Sequence, residues 1–165
     1  MSLPDRRTFL VSGLALLGLA ACGFTPAYAP GGPAASLQGA FLLAEPDDKL
    51  GFDFVERMEE RLGRGTSVRY DITYDIATNT VGIGEQRNNT TTRFNITGSI
   101  DWGVIERATG TRVTGGTVTN FTSYSATGST VASLSAQEDA QYRLMRSLAD
   151  QIVTRLTATS GLWAK

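Results

Sequence analysis

The sequence contains no histidine and one cysteine, Cys22, among 165 residues, and these two shortages remove much catalytic chemistry. Without imidazole there is no Ser-His-Asp or Cys-His relay, no His-containing zinc set, and no side chain whose ordinary pKa suits proton shuttling near neutrality. A lone cysteine forms neither an internal disulfide nor a CxxC pair. An excess of either charge is missing too: 15 Lys+Arg stand against 16 Asp+Glu, a net charge of −1 that gives no bulk attraction to nucleic acid. No P-loop, GxSxG, SxxK or metal-ligand spacing occurs. The chain therefore reads as a non-enzyme with no catalytic residue, no metal ligand, no cofactor and no nucleic-acid partner.

A hydrophobic run long enough to cross a membrane is also absent. Phe9 to Ala21 is apolar over 13 residues, where a spanning helix needs about 20. Behind Arg6 and Arg7 it reads as the h-region of a signal peptide over residues 1–21. The run ends in Leu19-Ala20-Ala21-Cys22, which resembles the lipobox of bacterial lipoproteins. That resemblance implies lipidation of Cys22, with diacylglycerol on the thiol and an acyl chain such as palmitate on the amine. Several chains on one residue hold a protein stably on a membrane, where one chain does so only marginally. Gly23 occupies the next position; the absence of an inner-membrane retention Asp there implies delivery to the outer membrane. Arg6-Arg7-Thr8-Phe9-Leu10 suits twin-arginine export and an ordinary secretory signal alike, and both routes stay open.

Removal of residues 1–21 takes away Arg6, Arg7 and Asp5 and leaves a net charge of −2. Residues 22–36 follow as a lipidated cysteine and a Pro/Gly-rich tether without apolar periodicity. Leu37 to Ala44 is a short apolar run suited to a buried first strand, and Pro46-Asp47-Asp48 opens a helix. Leu50, Phe54, Met58 and Leu62 recur every four residues and place one stripe against a core, with Gly63 as the stop. Glu56, Glu59 and Glu60 lie mostly off that stripe and read as a solvated face. From Thr66 to Ser125 the period changes to two. Val68, Tyr70, Ile72, Tyr74 and Ile76 share a face, as do Phe94, Ile96, Gly98, Ile100, Trp102 and Val104, and then Val113, Gly115, Thr117, Thr119 and Phe121. The connections are predicted at Asn79–Asn89 and Ala108–Thr111, with a Thr-rich opposite face. Ser135 and Glu138 form a capping box for a last helix whose apolar face, Tyr142, Met145, Leu148, Ala149, Ile152 and Leu156, runs to about Ala158. Residues 161–165 are predicted to be a frayed C-terminal tail in which Trp163 packs back on the domain. The fold class predicted for residues 37–160 is α+β: a mainly antiparallel four-stranded sheet with two helices packed on one face.

Several details resemble one family. Cys22-Gly23-Phe24-Thr25-Pro26, the Arg93-Phe94-Asn95-Ile96 strand after a polar loop, Tyr124-Ser125-Ala126 leading into Ser135-Ala136-Gln137-Glu138-Asp139-Ala140, and Leu148-Ala149-Asp150-Gln151-Ile152 together resemble LptE, the lipopolysaccharide-assembly lipoproteins, most closely the shorter alphaproteobacterial members. The resemblance covers most of residues 22–158. It implies a non-enzymatic lipoprotein, anchored on the periplasmic side of the outer membrane of a Gram-negative cell, that partners and plugs the LptD β-barrel and assists lipopolysaccharide transport and assembly. It also implies a lipopolysaccharide-binding position at Arg87, in the loop Glu85-Gln86-Arg87-Asn88-Asn89, with Arg93 beside it as a second candidate. A guanidinium suits phosphate through bidentate hydrogen bonds. A further basic residue found in some members just before the last helix is missing, since Ser135 stands near that place. An auxiliary lipoprotein of a lipid-trafficking transporter is the alternative with the same outline.

Overall fold

A computed structural model describes residues 32, 34–85, 91–126 and 129–164, with the side chains of residues 84, 85 and 91 excepted. A short 3-10 turn at Ala35–Leu37 leads into β1 (Phe41–Leu43), followed by α1 (Lys49–Leu62), β2 (Tyr70–Glu85), β3 (Thr91–Glu106), β4 (Thr111–Ser125) and α2 (Thr130–Trp163). The strands form one sheet in the order β1-β2-β3-β4. β1 runs parallel to β2, and the other two pairings are antiparallel. The fold is thus α+β, with a mixed, mostly antiparallel sheet and helices packed against it.

The apolar run at Leu37–Ala44 contributes less strand than its composition suggests. Gly39, at φ 67°, turns the chain between Leu37 and Phe41. Its N–H donates to the Leu62 carbonyl at 2.8 Å, and its own carbonyl accepts from Thr66 and Ser67. A side chain there would collide with Thr66 Oγ1, so glycine ties the start of the sheet to the end of α1. α1 itself follows the predicted stripe. Asp48 caps it, its carboxylate accepting the Gly51 N–H at 2.7 Å. Phe54, Met58 and Leu62 are buried, Leu50 partly so, and Gly63 ends the helix at φ 75°.

Three predicted features are corrected. The Asn79–Asn89 connection is largely strand: Asn79 pairs with Thr97, Thr80 with Ile96 and Val81 with Asn95, and β2 continues to Glu85. A facing strand satisfies the backbone whatever the side-chain polarity, and the glycines only shift the register between Gly82 and Glu85. In β4 Val113 packs against the core as predicted, but beyond it the core-facing residues are of the opposite parity from those predicted. Val104 pairs with Thr114 and Ile105 with Arg112, so Val113 is the extra residue of a bulge and every later side chain changes face. Val118 is consequently buried, whereas Phe121 is 62% exposed. The last helix begins six residues earlier than the capping box indicates, at Thr130, with Ser129 Oγ in place of Ser135 as the cap, accepting from Ala132 N at 3.3 Å. It also absorbs most of the predicted tail, since Gly161 to Trp163 are helical. The Trp163 ring lies 5.3 Å from that of Tyr70 and 6.3 Å from that of Phe41, as the packed-back reading requires.

The core fills the space between the helices and one sheet face. Leu144 and Leu148 of α2 lie so close to Gly98 that a Cβ there would meet them at 3.0 and 3.2 Å. Between the helices, Arg57 of α1 grips Asp150 of α2 bidentately at 3.0 and 2.9 Å. Glu60 completes the join by accepting from Arg57 at 2.8 Å and from Arg146 at 3.4 Å. The predicted solvated face is therefore divided: Glu60 bridges helices, Glu59 pairs with Arg64 and Glu56 is exposed.

Candidate functional site

Of the predicted site residues, Cys22 and Arg87 lie outside the described residues. Arg93 lies on β3, its backbone paired between Gly84 of β2 and Ser125 of β4. Because Phe94 and Ile96 turn to the helix side, alternation sends Arg93, Asn95 and Thr97 to the other face of the sheet. Arg93 is exposed and forms no ion pair among the described residues.

The register builds the surroundings of Arg93 row by row. Beside the Gly84-Arg93-Ser125 row stands Val81-Asn95-Ser123, and beyond it Asn79-Thr97-Phe121. Ser123 Oγ donates to Asn95 Oδ1 at 2.9 Å, and further along the same face the Thr117 hydroxyl donates to Asp101. Val81 and Phe121 project among these polar groups at 51% and 62% exposure. The face thus offers one guanidinium, several hydroxyls and amides, and two apolar side chains. Such a set is suited to an anionic head joined to an apolar body. Val81 and Phe121 were missed in the sequence because one was placed in a loop and the other on the core face.

The end of the sheet that carries Arg93 is opposite the end where the chain enters. Ala34 is fully buried beside the 3-10 turn that leads to β1, and β1 pairs with the first residues of β2. Arg93 lies along β3 near the last residues of β2, where α2 also begins with exposed Val131 and Leu134. A strand of 16 residues separates these ends by about 50 Å.

Elsewhere on the open face, Arg112 donates to the Trp102 carbonyl at 2.9 Å and lies across the paired Gly103 and Gly115, where any Cβ would press on it. A hollow of about 710 Å³ runs along α1 and is lined by Pro46, Phe52, Asp53, Glu56, Glu59 and Arg64 among others, away from Arg93. No group of His, Cys, Asp and Glu among the described residues could hold a metal ion. Among the same residues no helix is long and apolar enough to cross a membrane.

The family model for LptE, lipopolysaccharide-assembly, matches residues 39–156. Among solved structures, a protein from Caulobacter crescentus described as a lipoprotein is 21% identical, with a TM-score of 0.65 over 78% of this chain and 96% of its own. The rare lipoprotein B of Shewanella oneidensis is 9% identical, with a TM-score of 0.57 over 74% of this chain and 95% of its own. A minor lipoprotein from Acinetobacter baumannii is 17% identical, with a TM-score of 0.51 over 72% and 89%. At these identities the structures establish a shared fold. No curated protein sequence matches the chain.

Proposed function

The chain belongs to the LptE family of lipopolysaccharide-assembly proteins, and from that premise we propose that it is a non-enzymatic outer-membrane lipoprotein that partners and plugs an LptD-like β-barrel. Cys22 is the lipid anchor, on the periplasmic side of the membrane. Arg87 and Arg93 are the residues that contact lipopolysaccharide as the barrel delivers it. The observation that carries this reading is the separation of the two ends of the domain. The chain enters beside buried Ala34, whereas Arg93 and the polar, Thr- and Asn-rich open face extend to the far end.

A tethered domain can then remain attached at one end while the other reaches into a pore. Barrel interiors are polar, and a face of hydroxyls and amides is suited to such a wall. The guanidinium of Arg93 has no carboxylate to neutralise it among the described residues, so an anionic lipid head would meet an available charge. Affinity purification of the tagged chain from detergent-solubilised envelopes should bring down a large outer-membrane barrel, and depletion should lower both assembled barrel and surface lipopolysaccharide. Recovery of an inner-membrane lipid transporter in place of a barrel would reverse the assignment in favour of the transporter auxiliary.

A further inference from the structure

We infer that the end of the domain where the chain enters is seated on the anionic phospholipid headgroups of the leaflet that holds the lipid anchor. Four stretches of backbone meet at this end. Gly39 N–H donates to Leu62 O at 2.8 Å, Arg69 N–H to Ala40 O at 2.8 Å, and Arg107 N–H to Arg69 O at 2.9 Å. The last turn of α2 joins them through the Trp163 ring, 5.3 Å from that of Tyr70. Residues 34–40, 61–70, 106–112 and 158–164 therefore lie together, and they contain five arginines against a single carboxylate, Glu106.

Ion pairing leaves this end positive. Arg64 meets Glu59 at 3.1 Å with its side chain 87% exposed, and Arg107 meets Asp71 at 2.8 Å. With both partners counted, arginines still outnumber carboxylates five to three. Asp150, 3.8 Å from Arg61, is already gripped by Arg57. Exposed Arg69 is held with its guanidinium 5.4 Å from the Tyr70 ring centre. The excess is local, since residues 45–60 carry seven carboxylates and only two basic side chains. In the last turn of α2, Leu162 is 84% exposed beside half-buried Trp163. Cations around an outward apolar side chain match the boundary between phosphate heads and acyl chains.

The tether selects a leaflet as the occupant. Cys22 stands ten residues before Gly32, a length that spans at most about 35 Å, and Ala34 is already buried at this end. On the lipid-anchor reading of Cys22, on which this seat rests, the entry end stays beside the membrane while Arg93 and the far end reach into the pore. The seated end is thus the one the barrel leaves outside. Each Lys or Arg near an anionic leaflet favours attachment by about fivefold, within a Debye length of about 8 Å, and guanidinium groups bond phosphate bidentately. Such a contact orients a chain that lipid already holds and is too weak to hold an unlipidated one.

The test uses the full chain, purified with its own lipid and reconstituted without a barrel in phosphatidylcholine vesicles, with phosphatidylglycerol as a third of the lipid or absent. A fluorophore is attached at Gly161→Cys, where a Cβ meets nothing within 4 Å, or at Ser125→Cys, exposed on the far end. Nitroxide carried on lipid headgroups should quench the label at position 161 at least threefold more than that at 125 on the anionic vesicles, and the difference should shrink by half or more on the neutral ones. Arg64→Glu with Arg69→Glu, or high salt on the unaltered arginines, should remove it, whereas Arg64→Lys with Arg69→Lys should keep it. Should the glutamates unfold the chain, the salt series decides. Equal quenching at both positions, or a difference indifferent to phosphatidylglycerol and salt, would overturn the proposal. Glutamates that lower recovery of a barrel from envelopes while leaving quenching unchanged would do so as well, assigning the patch to a protein. The mass of the purified N-terminus separates the two readings: acyl groups missing from it would overturn the anchor and the seat together, and acyl groups present with equal quenching would overturn the seat alone.

Discussion

At the scale of single residues, Arg93 and Glu60 separate binding from folding. Arg93 is exposed and makes no ion pair among the described residues, so Arg93→Glu should change the stability to unfolding by no more than about 0.5 kcal/mol. The same change should weaken lipopolysaccharide binding by about tenfold, the scale of one charge-assisted hydrogen bond. Binding and melting measured on one preparation test this, and Arg87→Asp should behave alike. Equal loss of both properties, or of neither, would remove the assignment. Glu60 carries the opposite expectation. Hydrogen bonds from Arg57, and then from Arg146, hold its carboxyl below the ordinary carboxylate pKa. A depressed folded-state pKa means stability that is present above the unfolded value and lost as pH falls through the folded one. Melting temperature should therefore drop with acidification below the ordinary Glu range, and Glu60→Gln should flatten that part of the profile. This role was not legible in the sequence, because Asp150 lies 93 positions from Arg57 and only the packing of α1 on α2 brings their charges together.

At the scale of elements, the readable features were those set by local chemistry. Asp48 and Gly63 delimit α1 because a cap and a positive-φ stop act within one turn. The face of β3 was legible because its alternation is unbroken from Phe94 to Val104. The face of β4 was not, since a bulge is a relation between two strands and Val113 carries no mark of being the extra residue. The far half of β2 was hidden for the same reason: Asn79, Gly82 and Gly84 are turn-formers by type and strand residues by pairing. A paired substitution checks the β4 register. Val118→Asp buries an unpaired carboxylate and should cost about 3 kcal/mol or more, whereas Phe121→Asp should cost less than about 1 kcal/mol. Chemical denaturation of the two variants decides it, and the reverse order would restore the predicted face. The end of α2 has a comparable check. Trp163 packs on Tyr70 and Phe41 and donates to Thr159 Oγ1 at 3.0 Å, so Trp163→Ala should destabilise by about 2 to 3 kcal/mol instead of behaving as a change in a frayed tail.

At the scale of the whole molecule, anchoring and folding are expected to be separate properties, and the folded part includes Ala34. Ala34 is fully buried and its carbonyl accepts the Leu37 N–H at 3.2 Å, so the domain uses residues that composition assigned to the tether. A chain beginning at Gly32 retains these contacts and should melt in one cooperative transition. One beginning at Leu37 should also fold, but with about 1 kcal/mol less stability, the scale of one buried methyl and one hydrogen bond. Cys22→Ala in the full chain should leave that melt unchanged while moving the protein from the membrane fraction to the soluble periplasmic one. Lipid at Cys22 supplies membrane attachment and, on the proposed reading, no part of the core. The decisive comparison is between the two failures. A Gly32 chain that does not fold would mean that residues before 32 belong to the domain. A Cys22→Ala chain that folds and still sediments with membranes would mean that another surface, and not lipid, holds it there.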